Sequence, residues 1–142
     1  MDVYGPLDLR LKSGTCMQIV APSRSGKTKL ALDIVINRNT VYDNPTDKCV
    51  YMYKQWQPAF EEAQSLDNSI IFSNDFEELE TLIKSNLFKN NLLVIFDDFM
   101  LQFESSKNSY IKEFFVHRAH HENISVILLQ QVLYSRNSRV VN

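Results

Sequence analysis

The 142-residue sequence predicts an α/β fold: a mostly parallel central sheet covered on both faces by helices, three layers in all. Three observations carry that expectation. Short β-prone runs alternate with stretches of helical periodicity along the chain. The run Leu92-Leu93-Val94-Ile95-Phe96 is apolar without interruption, as a strand buried on both faces requires. Glycine and proline are few, three and four residues, and no repeat or low-complexity tract divides the chain, so residues 1–142 read as one domain.

Each element has its own signal. Residues 15–21 (T-C-M-Q-I-V-A) form the first strand, followed by a loop at 22–26 and a helix whose apolar stripe holds Leu30, Ala31, Ile34 and Val35. Residues 50–53 are the next strand. The helix at 58–66 begins on Pro58, with Glu61 and Glu62 near its positive end. A brief strand at 69–72 precedes a helix for which Asn74, three residues before Glu77, supplies a capping-box start; it runs to about residues 82–86. The strand at 92–96 leads through a polar loop to a helix at 108–121, where Tyr110, Ile111, Phe114 and Phe115 recur at helical spacing. Residues 124–129 return to a strand. In such sheets ligands bind outside the carboxyl ends of the strands.

Charge and cysteine content exclude several classes. The formal net charge is -2 and the isoelectric point about 5.9, unlike a generally basic nucleic-acid coat. The charge is unevenly placed: residues 1–56 carry +3, residues 57–100 carry -7 and residues 101–142 carry +2. Cys16 and Cys49 sit in apolar runs as small hydrophobes rather than as a disulfide framework. No basic segment followed by an apolar one opens the sequence, and no stretch approaches the roughly 20 apolar residues of a membrane span, so the expectation is a soluble intracellular chain with no membrane partner.

The chemistry concentrates at three strand ends. Ala21-Pro22-Ser23-Arg24-Ser25-Gly26-Lys27-Thr28 fits a phosphate-binding loop of the form [AG]-x-x-x-x-G-K-[ST], placed between a strand and a helix. Such a loop turns successive backbone N–H groups toward a triphosphate at the positive end of the helix dipole. Pro22 to Gly26 would line the phosphates, Lys27 would reach the β- and γ-phosphates, and the Thr28 hydroxyl would ligate Mg²⁺. The first position is Ala and Gly26 is the loop's one glycine, so the loop is a variant form.

The apolar strand at 92–96 runs into Asp97 and Asp98. Adjacent residues at a strand end point different ways, so Asp97 can hold the metal while Asp98 addresses a water that attacks the γ-phosphate. The run Ser125-Val126-Ile127-Leu128-Leu129 ends in Gln130-Gln131, either solvent-facing amides or a neutral sensor of the γ-phosphate. Arg118, Arg136 and Arg139 either stabilise transition-state charge or form a solvated basic face. His117, His120 and His121 suit a helix C-terminus better than zinc, which needs more ligands. Trp56 is a packing residue placed where an aromatic can stack on a base.

Four stretches together carry a family likeness: I-V-A-P-S-R-S-G-K-T, Y-M-Y-K-Q-W-Q-P-A-F-E-E, L-L-V-I-F-D-D-F-M and H-R-A-H-H-E-N-I-S-V-I-L-L-Q-Q. Over residues 14–142 the chain resembles the poxvirus-type genome-packaging ATPases of the FtsK/HerA superfamily, including versions in adenovirus-like and Polinton-like elements. The resemblance implies a P-loop NTPase fold of the RecA/ASCE kind. It also implies Lys27 and Thr28 as Walker A residues, Asp97 as the Walker B acid, Asp98 as the catalytic carboxylate and Gln131 as the polar sensor. ATP and Mg²⁺ would be the cofactors, and the activity an ATP-driven packaging of double-stranded DNA by a homo-oligomeric ring that meets a capsid component. Such a protein would work in the host cytoplasm or nucleus, or with the virion. Members of the family continue past the sensor strand, so the domain is expected to be incomplete at its C-terminus, with an open sheet edge. Two readings compete. One is a nucleotide-binding module that docks on a partner without hydrolysis. The other is a small phosphotransferase, for which no acceptor-binding or lid signature is seen.

Overall fold

The computed structural model describes residues 8–22, 25–44, 46, 48–85, 92–98, 106–119 and 123–131. The elements in order are β1 (Cys16–Ala21), α1 (Lys27–Ile36), α2 (Arg38–Val41), β2 (Lys48–Met52), α3 (Pro58–Leu66), β3 (Ile70–Ser73), α4 (Phe76–Lys84), β4 (Leu92–Asp97), α5 (Ser106–Glu113), a π-helical turn (Phe114–Arg118) and β5 (Ile124–Gln131). The five strands pair in parallel in the order β1-β5-β4-β2-β3. The predicted α/β class with a parallel sheet is therefore the observed one. Among the described residues β1 and β3 are the edges, and Val20 of β1 is 53% exposed. No helix among the described residues is long and apolar enough to cross a membrane.

Alternation along the central strands sorts the core into two faces. Cys49, Tyr51, Leu93, Ile95, Ile127 and Leu129 pack against Ala31, Leu32 and Val35 of α1 and Phe60 and Ala63 of α3. Val50, Met52, Leu92, Val94, Phe96, Ile124, Val126 and Leu128 pack against Leu79 of α4 and Ile111, Phe114 and Ala119 on the other side. Every residue of β4 is buried, and each such Leu, Ile or Phe contributes about 1.5–3 kcal/mol of burial. The same alternation continues beyond the hydrophobic run. It places Asp97 at the end of β4 and Gln131 at the end of β5 on the α1 face, and Gln130 on the opposite face, where its side chain bonds Gln18.

Several local expectations are corrected. The N-cap of α4 is Asp75 rather than Asn74: its carboxylate accepts the Glu77 N–H at 2.9 Å. The Ser73 hydroxyl supports this cap from outside, accepting the Asp75 N–H at 3.1 Å and donating to Glu78 at 2.7 Å. The predicted helix over 108–121 starts earlier and changes winding, its α-helical part giving way to the π turn at Phe114. Continued α-helical spacing from Ile111 and Phe114 would turn Arg118 toward the sheet. The wider turn brings Ala119 there instead and lets Arg118 pair with Glu80. The single-turn α2 has no periodicity to announce it. It is held by Arg38, whose side chain is buried.

Candidate functional site

The loop predicted to bind phosphate closes on Gly26, which caps α1 at φ 90°, a left-handed conformation that favours glycine. A Cβ built there would meet nothing within 4 Å, so the backbone lies open to a ligand and the demand for glycine is conformational. Leu30 N–H then bonds the Gly26 carbonyl at 2.9 Å as the first turn of the helix. Lys27 and Thr28 follow as the first two helical residues, where orphan N–H groups and the positive end of the dipole coincide.

Asp97 comes to this helix start because β4 and β1 flank β5, and because its side chain points to the α1 face. The Thr28 hydroxyl donates to Asp97 Oδ2 at 3.2 Å, across 69 residues of sequence. A second donor reaches the same oxygen: Tyr51 Oη, at 2.6 Å. Tyr51 sits on β2 opposite Ile95, two residues short of Asp97, and its phenol spans that distance along the shared face. Burial raises the Asp97 carboxyl above its ordinary value and outweighs the two hydroxyl bonds; the neighbouring Asp98 carboxylate pushes the same way, while Lys27 opposes it. Burial and the adjacent carboxylate also lift the Tyr51 phenol well above its usual range.

Asp98 leaves the strand in a left-handed conformation, φ 66°, and its N–H bonds the Leu129 carbonyl at 3.2 Å. Asp is among the few non-glycine residues that take up this conformation readily, and the left-handed backbone turns Asp98 out of the sheet beside Asp97. A cavity of about 320 Å³ is lined by Ser25, Gly26, Lys27, Thr28, Asp97, Asp98, Gln131 and Gln57. Loop, acidic pair and terminal amide, assigned from three separate stretches of sequence, thus share one wall.

Pro22 is exposed and outside that lining. Ser23, Arg24, His120, His121, Arg136 and Arg139 lie outside the described residues. Arg118 sits on the other side of the sheet, paired with Glu80 and 5.2 Å over the Phe114 ring. His117 is exposed in the π turn. Among the described residues no group of three or more His, Cys, Asp or Glu is arranged to hold a metal ion. Cys16 and Cys49 are free, and burial pushes the Cys49 thiol up to about 12.

Two residues at the site escape sequence reasoning: Tyr51, buried behind Asp97, and Gln57, which lines the cavity. Tyr51 looks like any aromatic in an apolar strand until the β2–β4 register is known. Gln57 precedes α3 and also lines an adjoining cavity of about 300 Å³ with Tyr53, Lys54, Gln55, Trp56, Asp97 and Asp98. Trp56 does pack edge-on against Tyr53, Phe60 and Phe72, with ring centroids 5.4–5.8 Å apart, yet stays 45% exposed on that cavity.

A glycine-capped loop after the first strand, a sheet in which a third strand separates that strand from the one bearing the acidic pair, and helices on both faces settle the architecture. The fold is that of a P-loop NTPase. Among solved structures it is similar to B204, the DNA-packaging ATPase from Sulfolobus Turreted Icosahedral Virus, with a TM-score of 0.59 at 14% sequence identity, over 87% of this chain and 69% of that one. No protein-family model matches the chain, and no curated protein sequence does.

Proposed function

We propose that this chain binds ATP with Mg²⁺, hydrolyses it, and uses the cycle to drive double-stranded DNA during viral or virus-like genome packaging. The observation that carries the reading is the single cavity in which Lys27 and Thr28 face Asp97, Asp98 and Gln131. The similarity to a viral packaging ATPase supports the assignment of the motor's task.

The donor set fits the metal. Thr28 Oγ1 and the Asp97 carboxylate are hard oxygen ligands 3.2 Å apart, and among the described residues the hydrogen bonds to the buried Asp97 side chain come from neutral hydroxyls. These two residues would hold Mg²⁺, which when bound neutralises charge on the β- and γ-phosphates.

The remaining steps belong to the chain's own groups. The N–H groups at the start of α1 and the Lys27 ammonium hold the triphosphate and compensate charge as the bond between Pγ and the bridging oxygen breaks. Asp98 accepts the proton of the water that forms the new P–O bond, releasing ADP and phosphate. The Gln131 amide orients that water or the γ-phosphate without adding charge. In the full reading several copies form a ring around the duplex, docked on a capsid component.

The test is steady-state hydrolysis with and without Mg²⁺ and duplex DNA. Lys27→Ala is expected to lose ATP binding. Asp98→Asn is expected to keep binding while kcat falls about 10²–10⁴-fold. Equal turnover by wild type and Asp98→Asn would overturn the hydrolytic mechanism. A rate indifferent to DNA of any length, or a monomer in solution at all ATP concentrations, would remove the motor.

A further inference from the structure

Asp97 is 2% exposed, and both of its side-chain hydrogen bonds end on Oδ2. The longer bond comes from Thr28, whose hydroxyl is itself assigned to the metal. The shorter one comes from Tyr51, which has no part in the phosphate loop. We infer that Tyr51 is a positioning residue for Asp97, fixing its carboxylate in the orientation from which it meets the metal and the phosphate loop. The inference rests on the reading of Asp97 as the metal-side acid.

Three features make Tyr51 suited to that role. Its backbone is held in β2 between β3 and β4, in register with both. Its ring is wholly buried and packs against both Phe60 and Phe72, centroids 5.0 and 5.3 Å away, so the hydroxyl is aimed by packing and needs no ordering when the ligand arrives. The position itself asks for an apolar residue: its neighbours on that face are Cys49, Leu93 and Ile95, and phenylalanine would fill the same space without burying a hydroxyl. The polar atom therefore needs its own reason, and among the described residues its hydroxyl donates to Asp97, with the Thr28 hydroxyl beside it. Partners outside the direct ligands orient them, and losing such a partner typically weakens metal binding by about 10–100-fold.

The experiment measures equilibrium binding of a fluorescent, non-hydrolysable ATP analogue to the full chain as Mg²⁺ is titrated, for wild type, Tyr51→Phe, Phe60→Leu and Asp97→Ala. In Tyr51→Phe the Mg²⁺ midpoint is expected to rise about tenfold while affinity for the analogue without Mg²⁺ stays at the wild-type value. Phe60→Leu disturbs the same aromatic packing without touching the carboxylate. It is expected to lower the melting temperature and leave the midpoint in place. A wild-type midpoint in Tyr51→Phe, with Asp97→Ala shifted, overturns the role of Tyr51 and spares that of Asp97. An equal shift in Phe60→Leu also overturns it, since packing alone would then account for the effect. If Asp97→Ala leaves the midpoint unmoved, the metal-side reading of Asp97 falls and the role of Tyr51 with it.

Discussion

Among the described residues charge is buried in two places, on Arg38 and on Asp97, and the two are treated in opposite ways. Arg38, at the start of α2, has its guanidinium consumed. It donates to the Thr46 carbonyl at 2.8 Å, the Val35 carbonyl at 2.9 Å, Asp67 at 2.7 Å and the Ser69 hydroxyl at 2.6 Å. Asp97 receives two neutral hydroxyls and borders a cavity. The carboxyls report the contrast. Burial would raise Asp67, but the bonds from Ser69 and Arg38 bring it below its ordinary value; burial raises Asp97 and its hydroxyl partners do not reverse it. A buried charge that is fully partnered holds a fold together. One left short of opposite charge beside a cavity is poised for a cation.

The contrast can be broken most forcefully at Arg38. Arg38→Ala strips the pairing from Asp67 and leaves two carbonyls and a hydroxyl without their donor, at an expected cost of about 3–5 kcal/mol in denaturant unfolding. Nucleotide affinity of the folded fraction should not change. Asp97→Asn is expected to do the reverse: without Mg²⁺ it gains about 1–2 kcal/mol, because a neutral amide replaces a buried anion, while Mg²⁺-dependent nucleotide binding is lost. Thermal melts in a chelating buffer measure the first effect. A destabilised Asp97→Asn would show that the carboxylate belongs to the structural kind.

Asp67→Asn has the smallest expected effect and sharpens the comparison by pH. Asp67 has a depressed folded-state value, so its stabilisation is fully present above the ordinary carboxyl value of 3.8 and is lost as pH falls through the lower one. Wild type should therefore lose stability across that acidic window more steeply than Asp67→Asn. At neutral pH the variant should be about 1 kcal/mol less stable. Parallel melting curves from pH 2 to 7 would sink the assignment.

Much of this was legible in advance, for identifiable reasons. The β4 run announced a strand buried on both faces, and the G-K-T string announced a loop closing on a helix, because both signals are local and depend on neighbouring residues alone. The cap of α4 was misplaced by one residue because Asn74 and Asp75 are both good caps, and the Ser73 bonds that favour Asp75 come from the preceding strand end. The π turn has no local signal, and the contact that accompanies it, Arg118 with Glu80, joins residues 38 positions apart.

Residue order alone determined which groups stand at strand ends, and alternation along the strand determined that Gln130 and Gln131 point to opposite faces. The latter is a consequence of a two-residue period that needs no partner strand. Only the tertiary structure decided that β5 lies between the loop-bearing strand and the acidic one, that Thr28 reaches Asp97, and that Tyr51 meets the same oxygen. Such contacts depend on which strands pair and in what register, a choice made by burying the whole sheet at once and written in no single segment of the chain.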